Sequence, residues 1–596
     1  MNPIINKFSI TVATVNGSGS QSANMILMRS IFNMGIPVSG KNLFPSNIAG
    51  LPTWFTIRVD KDGYMACVRD SEILIAMNEA TVDEDIAKQK PGTIVIVSDK
   101  LPLKTKRQDI TYYVCPFTEI AGKHAADPSM RKLMANTAYV GAMAFLLNID
   151  QAAIELAVHK QFKGKAKAID LNLGVIRSGR EWAEKNLGAA VPYKVEKMNE
   201  TAGKIIVDGN AAAALGSMFA GCTFVAWYPI TPSSSLPESM IGYMNKYRVD
   251  KATGKNTFAI VQAEDEIASI GMVMGAGWAG ARACTSTSGP GISLMSEFIG
   301  LSWFAEIPAV IFDVQRVGPS TGLPTRTAQA DILKNYYVSH GDTRHICLIP
   351  SSVTECFDMA FEAFELAEKY QTTVFVITDL DLGMNQWMSE PFKYPTKPIT
   401  RGKVLDAEAL EKAGKFQRYK DVDGDGIPYR TLPGTKHPLA AYFTRGSGHN
   451  ESSGYTEKPE DYKNLLDRIQ RKIDGAKHKV PQPVTTGDAD AQVGVLAYGT
   501  SDYAVQEALD ELRKKGLKTS YMRVRGLPMN GDVTSFIEKH KRVYVVEQNQ
   551  LAHLSTIIKA ELKIDPTKLQ SVLHYDGIPL DAAFVVNAIS AKEKEF

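Results

Sequence analysis

The chain reads as an α/β protein built from three doubly wound domains, with one long irregular segment before the last. Three observations predict this. Short apolar runs rich in β-branched residues, such as Phe8–Val15, Ala309–Val314 and Val493–Ala497, alternate with longer stretches of helical period. Several of these runs give way at once to a turn rich in Gly, Pro and Ser. The length, 596 residues, exceeds what one core can serve, so three or four domains are expected. In open α/β sheets ligands bind where the carboxyl ends of the strands converge, so the turns that follow strands are where chemistry is to be sought.

The first domain covers residues 1–193. Its opening strand, Phe8–Val15, runs into the Gly/Ser loop Asn16–Asn24, and a helix is expected over Met25–Met34. A strand, such a loop and a helix start form a cradle for an anion, because backbone N–H groups at the helix start face it. The loop lacks the third glycine of G-x-G-x-x-G, where Ser22 stands, and no Gly-Lys-Ser/Thr follows. A tight structural turn accounts for it equally well. Further strands are expected at Ile73–Met77 and Thr93–Val97, and the polar stretch Lys194–Lys204 reads as a linker.

The central domain, residues 205–395, holds the most distinctive sequence. Tyr228-Pro229-Ile230-Thr231-Pro232 leaves a strand through two prolines, which remove two backbone donors and enforce a rigid turn presenting the Thr231 hydroxyl. Glu264-Asp265-Glu266 follows the strand Phe258–Gln262, and Glu266 opens a helix with Ala268, Gly271 and Gly275 on one face. Glycine costs roughly 1 kcal/mol against alanine within a helix, so this face calls for a close-approaching partner surface or cofactor. The plainer account of the three acids is dipole-favoured capping of a helix start. Ser288-Gly289-Pro290-Gly291 follows the next strand, and Arg316 ends the strand Ala309–Val314. A guanidinium there suits a carboxylate ligand, which it binds with forked, charge-assisted hydrogen bonds; a surface salt bridge is the alternative.

Residues 396–485 are rich in Gly, Pro and charge, which suits a linker or active-site loops. Asp421–Gly426 begins like a calcium loop, but Leu432 stands where the bidentate acid belongs, so it reads as an Asp/Gly turn with calcium the lesser alternative. Residues 486–596 form the last α/β domain, with strands at Val493–Ala497, Thr519–Val524 and Val543–Glu547. There Arg523 and Arg525 read as salt-bridging residues at a seam.

Composition limits the function. A net charge of +2 gives no reason to expect nucleic acid or a membrane surface, and no apolar run approaches the ~20 residues that span a bilayer. The start of the chain shows no signal-peptide pattern, so a cytoplasmic location is expected. The six cysteines are scattered without a C-x-x-C pair, so no metal site or Fe–S cluster is expected on this chain.

Tyr228–Ser234, the Glu266 helix, Ser288–Gly291 and Arg316–Thr325, in that order, resemble the α subunit of the thiamine-diphosphate-dependent 2-oxoacid:ferredoxin oxidoreductases. The chain looks most like the 2-oxoglutarate enzymes, in which the γ and α parts are fused, and the likeness extends over nearly its whole length. It implies a γ-type first domain, a pyrimidine-binding central domain and a transketolase-C-terminal-like last domain. It implies that Glu266, with Glu264 as the alternative, hydrogen-bonds N1′ of the cofactor's aminopyrimidine, beside Tyr228, Pro229 and Ile230. Thr231, Arg316 and Thr325 would hold the 2-oxoacid carboxylate, and Arg430 would reach the distal carboxylate of a dicarboxylic substrate. Gly17, Ser18, Gly19, Ser20 and Gln21 would cradle coenzyme A, although Ser20 and Ser22 stand where family members often carry glycine. The segment from Gly40-Lys41-Asn42 to Leu51-Pro52 would line the same crevice. The expected reaction turns 2-oxoglutarate and coenzyme A into succinyl-CoA, carbon dioxide and two electrons. No diphosphate motif of the G-D-G…N kind is found. Mg²⁺, the diphosphate and a [4Fe–4S] cluster are therefore assigned to a β subunit in an (αβ)2 heterotetramer, with ferredoxin or, through another subunit, a nicotinamide as acceptor. Pyruvate, branched-chain or aryl 2-oxoacids are alternative substrates, and a non-catalytic scaffold is the alternative from another class.

Overall fold

A computed structural model describes residues 3–45, 49–104, 106–188 and 191–594. The chain forms two compact units, Met1–Val207 with Asn385–Pro391, and Asp208–Met384 with Phe392–Phe596.

The first unit contains a six-stranded sheet ordered Val38–Leu43, Pro52–Asp60, Lys7–Val15, Ile73–Ala76, Ile94–Ser98, Thr111–Cys115. Three of its five strand pairings are parallel, and Pro52–Asp60 is the one strand that runs against the other five. Val38–Leu43, Pro52–Asp60 and Lys7–Val15 pair antiparallel. The connection 44–51 is too short for the parallel crossover of about a dozen residues or more. Ser46–Ile48, within the segment expected to line a crevice, lie outside the described residues. The helix after the first strand begins at Ser20, ahead of the expected Met25, because Gly19 takes the left-handed conformation (φ 80°) and turns the chain directly into it. Helices Pro128–Leu146 and Ala166–Asn186 meet backbone to backbone at Gly141 and Gly179, where a Cβ would strike the opposing main chain. Residues 385–391 return to this unit. Trp387–Ser389 pairs antiparallel with Ile205–Val207, and Asn385 Oδ1 accepts from the Asn42 N–H at 2.8 Å.

The second unit holds two sheets. The larger is ordered Ala259–Gln262, Phe224–Trp227, Ala283–Thr287, Ala309–Gln315, Thr373–Asp379, Ile346–Leu348, Gly526–Leu527. Its first six strands are parallel, and Ala283–Thr287, Ala309–Gln315, Ile346–Leu348 and Thr373–Asp379 are buried along their whole length, as expected of strands covered on both faces. The last, contributed by the C-terminal region, is an antiparallel edge. The smaller sheet is ordered Val484–Gly487, Thr519–Val524, Val493–Tyr498, Arg542–Glu547, Leu569–Leu573. One apolar cluster joins Ile311 and Phe375 of the larger sheet to Leu496, Met522 and Val545 of the smaller. Arg523 and Arg525 both pair with Glu355 on the helix Val353–Tyr370, at 2.6 and 2.8 Å, which is the seam role expected of them.

The segment read as irregular contains a 17-residue helix, Pro459–Gly475. It is held by Leu465, Ile469 and Ile473 packing against Trp303, and by buried Arg468 and Lys472, which pair with buried Glu306 at the C-terminal cap of the helix Gly289–Ala305. The Asp421 turn is closed by its own backbone. Asp421 accepts from the Gly424 and Gly426 N–H groups, while Lys403 pairs with Asp423 and Asp425. Among the described residues no cluster of three or more His, Cys, Asp or Glu side chains could hold a metal ion, and no helix is long and apolar enough to cross a membrane.

Candidate active site

The four motif-bearing strands are consecutive neighbours in the larger sheet, so their carboxyl ends place the turns 228–235, 263–266, 288–291 and 316–326 along one edge. Asn210 Nδ2 donates to Pro232 O at 2.9 Å and to Ser235 Oγ at 2.8 Å, and the Ile230 N–H donates to Ser234 Oγ at 2.9 Å. The Tyr-Pro-Ile-Thr-Pro turn is therefore held from within and below. Arg316 Nη1 donates to Thr231 O at 2.6 Å, which joins the two turns directly.

The three acids after Gln262 part company. Glu264 is exposed. Asp265 caps the helix Glu266–Trp278 by accepting from the Ala268 N–H at 2.6 Å. Glu266 is 7 % exposed and lies over Gly291, where a Cβ would sit 2.8 Å from Glu266 Cγ. Its carboxylate has no hydrogen-bond or ion-pair partner among the described residues.

Arg316 is 8 % exposed. Burial pulls its pKa down, against the charges of Asp331 and Glu266. The loop beyond it closes on itself: the Val317 N–H donates to Arg326 O and the Leu323 N–H to Val317 O, each at 3.0 Å. Buried Thr325 is thereby carried back beside Arg316, with Arg326 Nη1 donating to its carbonyl at 3.0 Å.

Asp331 was not singled out by sequence. Its carboxylate lies over Gly289, where a Cβ would be 2.6 Å from both carboxylate oxygens, and its enclosed Oδ2 has no partner among the described residues. Burial pushes Asp331 up to about 6, resisted by Lys334 and Arg316. Neighbouring Asp313 is held well above the carboxylate range by burial and then by Asp331, although Asn335 Nδ2 donates to it at 2.6 Å. The paired glycines of Ser288-Gly-Pro-Gly are the sequence signal for this arrangement: each leaves room for one carboxylic side chain, Asp331 at Gly289 and Glu266 at Gly291.

Arg430 does not join this edge, and the assignment to a distal carboxylate is corrected. It is 2 % exposed and ion-paired with buried Glu368, which also faces Arg401 at 3.2 Å. Glu368 ends the helix that precedes the strand Thr373–Asp379, and its other neighbour, Arg282, precedes the strand Ala283–Thr287. The cluster therefore sits at the amino edge of the parallel sheet, opposite Glu266 and Arg316.

In the first unit, Gly17 and Gly19 (φ 82° and 80°) shape the loop ahead of the helix Ser20–Asn33. Gly17, Gly19 and Gln21 are exposed, while Ser20 is buried and accepts from Thr14 Oγ1 at 2.9 Å. Asn136 Nδ2 holds Ser18 O at 2.8 Å.

Comparison with known proteins bears on this arrangement. Residues 9–182 match the family described as pyruvate ferredoxin/flavodoxin oxidoreductase, and residues 215–420 its thiamine-diphosphate-binding domain. The α subunit of 2-oxoacid:ferredoxin oxidoreductase 2 from Aeropyrum pernix is 30 % identical, across 98 % of this chain and 97 % of that one. The chain belongs to the 2-oxoacid:ferredoxin oxidoreductase α-subunit family. A Methanocaldococcus jannaschii 2-oxoglutarate synthase subunit, KorA, is 36 % identical over 58 % of this chain and 88 % of its own. The solved 2-oxoglutarate:ferredoxin oxidoreductase from Magnetococcus marinus, with 2-oxoglutarate, coenzyme A and succinyl-CoA bound, superposes with a TM-score of 0.87 at 28 % identity, over 98 % of this chain and 99 % of that one.

The residues of this α subunit fit thiamine diphosphate. A buried carboxylate that has no hydrogen-bond partner among the described residues suits a ring nitrogen that donates to it. Buried polar atoms without partners among the described residues gather at the same edge: Trp227 Nε1, Ser233 Oγ, Ser288 Oγ and Arg316 Nε. Beside Glu266 the α subunit exposes an apolar face. Gly271, Gly275, Trp278, Phe298 and Phe443 line an open cavity of about 470 Å³, and Ile267, Met272 and Leu294 are exposed nearby.

Proposed function

We propose that the chain is the α subunit of a 2-oxoglutarate:ferredoxin oxidoreductase, which converts 2-oxoglutarate and coenzyme A to succinyl-CoA and carbon dioxide and passes electrons to ferredoxin through a β subunit. One observation carries the reading: a buried carboxylate without a hydrogen-bond partner among the described residues, Glu266, and a buried guanidinium, Arg316, lie at the same carboxyl edge of one parallel sheet, near enough for the charge of Glu266 to act on Arg316. The printed names of the Methanocaldococcus and Magnetococcus relatives support 2-oxoglutarate as the substrate.

Thiamine diphosphate, when bound, supplies the nucleophilic carbon that attacks the 2-oxo group. The chain supplies the setting. Glu266 accepts from N1′ and holds the aminopyrimidine in the tautomer that can take a proton, with Tyr228, Pro229 and Ile230 along the ring. Arg316, Thr231 and Thr325 orient the 2-oxoacid carboxylate. Partial desolvation strengthens that grip, since a guanidinium with few competing waters binds carboxylate more tightly than one in bulk solvent. Gly17, Ser18, Gly19, Ser20 and Gln21 form the cradle for the phosphates of coenzyme A at the helix start, with the Ser18 N–H closing the turn on Val15 O at 3.1 Å. The apolar face around Gly271 and Gly275 receives the β subunit, which holds the diphosphate, Mg²⁺ and the [4Fe–4S] cluster in an (αβ)2 assembly. The proposed division of labour is a γ-type domain at 1–193, a pyrimidine-binding domain at 205–395, site-bordering loops at 396–485 and a transketolase-C-terminal-like domain at 486–596.

The test is Glu266→Gln in the complex with the β subunit. Turnover of 2-oxoglutarate falls by roughly 10²-fold or more, as expected for a group acting in proton transfer, while the complex stays assembled. Unchanged turnover would leave only the scaffold reading. The Aeropyrum relative's name specifies no more than a 2-oxoacid, which keeps broader substrates in view. Parallel assays with pyruvate and branched-chain or aryl 2-oxoacids decide between them by kcat/KM.

A further inference from the structure

The loop that carries Arg316 and Thr325 continues to Gln329, and there it is gripped by the last α/β domain. Gln329 is 1 % exposed and directs all its polar groups at the strand ends of the smaller sheet. Its backbone N–H donates to Gln548 O at 2.8 Å, and its carbonyl accepts from Tyr498 Oη at 2.9 Å and from Asn549 Nδ2 at 3.0 Å. Its side-chain Nε2 donates to Tyr498 O at 3.1 Å, and its Oε1 accepts from Ser501 Oγ at 3.0 Å and from the Gln548 N–H at 3.3 Å. Gly499, at φ 55°, leaves the space: a Cβ there would lie 2.9 Å from Gln329 Nε2. A second tie is nearby. The Thr327 N–H donates to Gly577 O at 3.1 Å, and Gly577 leaves room for the Arg326 side chain, whose Cβ would lie 3.0 Å from any Cβ placed there.

We propose that Gln329 is a positioning residue for 2-oxoacid binding, through which the last α/β domain sets the height and tilt of the Arg316–Arg326 loop over the cofactor edge. The proposal rests on the reading that Arg316 and Thr325 grip the substrate carboxylate. Simple domain adhesion does not require this residue. The seam is also tied by Arg523 and Arg525 on Glu355, and by Arg344 and Tyr337 on Glu561, all away from the loop. Gln329 lies between Thr325 and Asp331, so its bonds restrain the substrate side of the site.

The experiment compares Gln329→Met, Tyr498→Phe and Glu355→Gln in the complex with the β subunit. Gln329→Met keeps the volume and removes the side-chain bonds; Tyr498→Phe removes the bond to the Gln329 carbonyl and the bond its hydroxyl accepts from Asn549 Nδ2 at 3.3 Å, while Asn549 keeps its own bond to that carbonyl. Expected is a rise in KM for the 2-oxoacid of about tenfold for Gln329→Met and about threefold for Tyr498→Phe, with KM for coenzyme A unmoved. Glu355→Gln should lower the unfolding temperature without moving either KM. If Gln329→Met folds poorly, the Tyr498→Phe result decides. A Gln329→Met or Tyr498→Phe enzyme that only loses thermal stability, like Glu355→Gln, overturns the proposal. Arg316→Lys separates the two layers: if it raises the 2-oxoacid KM while both loop-tie variants do not, the positioning role alone fails. If Arg316→Lys leaves that KM unchanged, the underlying site assignment fails and the positioning role with it.

Discussion

Glu266 and Asp331 are carboxylic side chains that each need a glycine opposite, and their environments set them apart. Gly291→Ala would push a Cβ into Thr287 Oγ1 and the Glu266 side chain. The expected outcome is a folded enzyme with activity reduced by roughly 10²-fold, comparable with loss of the carboxylate itself, measured as 2-oxoacid-dependent ferredoxin reduction. Asp331 gives a pH prediction. Its folded pKa, about 6, lies above the ordinary carboxylate value because burial disfavours the anion. The folded state therefore keeps this proton while the unfolded chain has lost it, and stability falls as pH rises from about 4 to about 6. Asp331→Asn removes the penalised charge, so its unfolding temperature should exceed that of the parent at pH 7.5, with the gap closing by pH 4. A gap of constant size across that range would contradict the assignment. Glu266 was legible in sequence because it heads a helix whose glycines demanded a reason. Asp331 was not, because its partners, Gly289 and Asp313, are brought to it only by the sheet order.

The helix Pro459–Gly475 shows how an element can be hidden by its composition. Its buried stripe, Leu465, Arg468, Ile469, Lys472 and Ile473, keeps helical period, but two of those positions are cations that read as solvated surface. They are buried because Glu306 receives them: Lys472 Nζ donates to Oε2 at 2.7 Å and Arg468 Nη1 at 3.1 Å, with Arg468 Nη2 on Oε1. Burial alone would raise the Glu306 pKa, yet Arg468 and Lys472 bring it down to about 2. Its contribution to stability is therefore present above the ordinary glutamate value and is lost as pH falls from about 4.5 towards 2. Glu306→Gln strands two buried cations and should cost roughly 3–5 kcal/mol in denaturant unfolding. The Arg430 assignment failed for a related reason. Its true partner, Glu368, is distant in sequence, and an arginine among glycines and prolines gave no sign that it would be buried at the far edge of the sheet.

At the scale of the whole molecule, the apolar face beside Glu266 is a surface left uncovered among the described residues. Gly275 has open space where a Cβ would stand, so Gly275→Arg should leave the isolated chain folded. In size-exclusion chromatography it should abolish the complex with the β subunit, because an unpaired cation would have to be buried in an apolar seam. Retention of the complex would move the docking surface elsewhere.

Strands, motif order and the α/β class were written in local sequence, since apolar runs and turn residues act through a few neighbouring positions. The helix start at Glu266, the rigid proline turn and the seam arginines were readable for the same reason. Other features depended on which strands became neighbours: the antiparallel strand Pro52–Asp60 of the first sheet, the edge strand Gly526–Leu527, the carboxyl pair at Asp313 and Asp331, and the grip on Gln329. These are pairings between residues far apart along the chain, whose free energy exists only once the sheets are assembled, so no local pattern can record them.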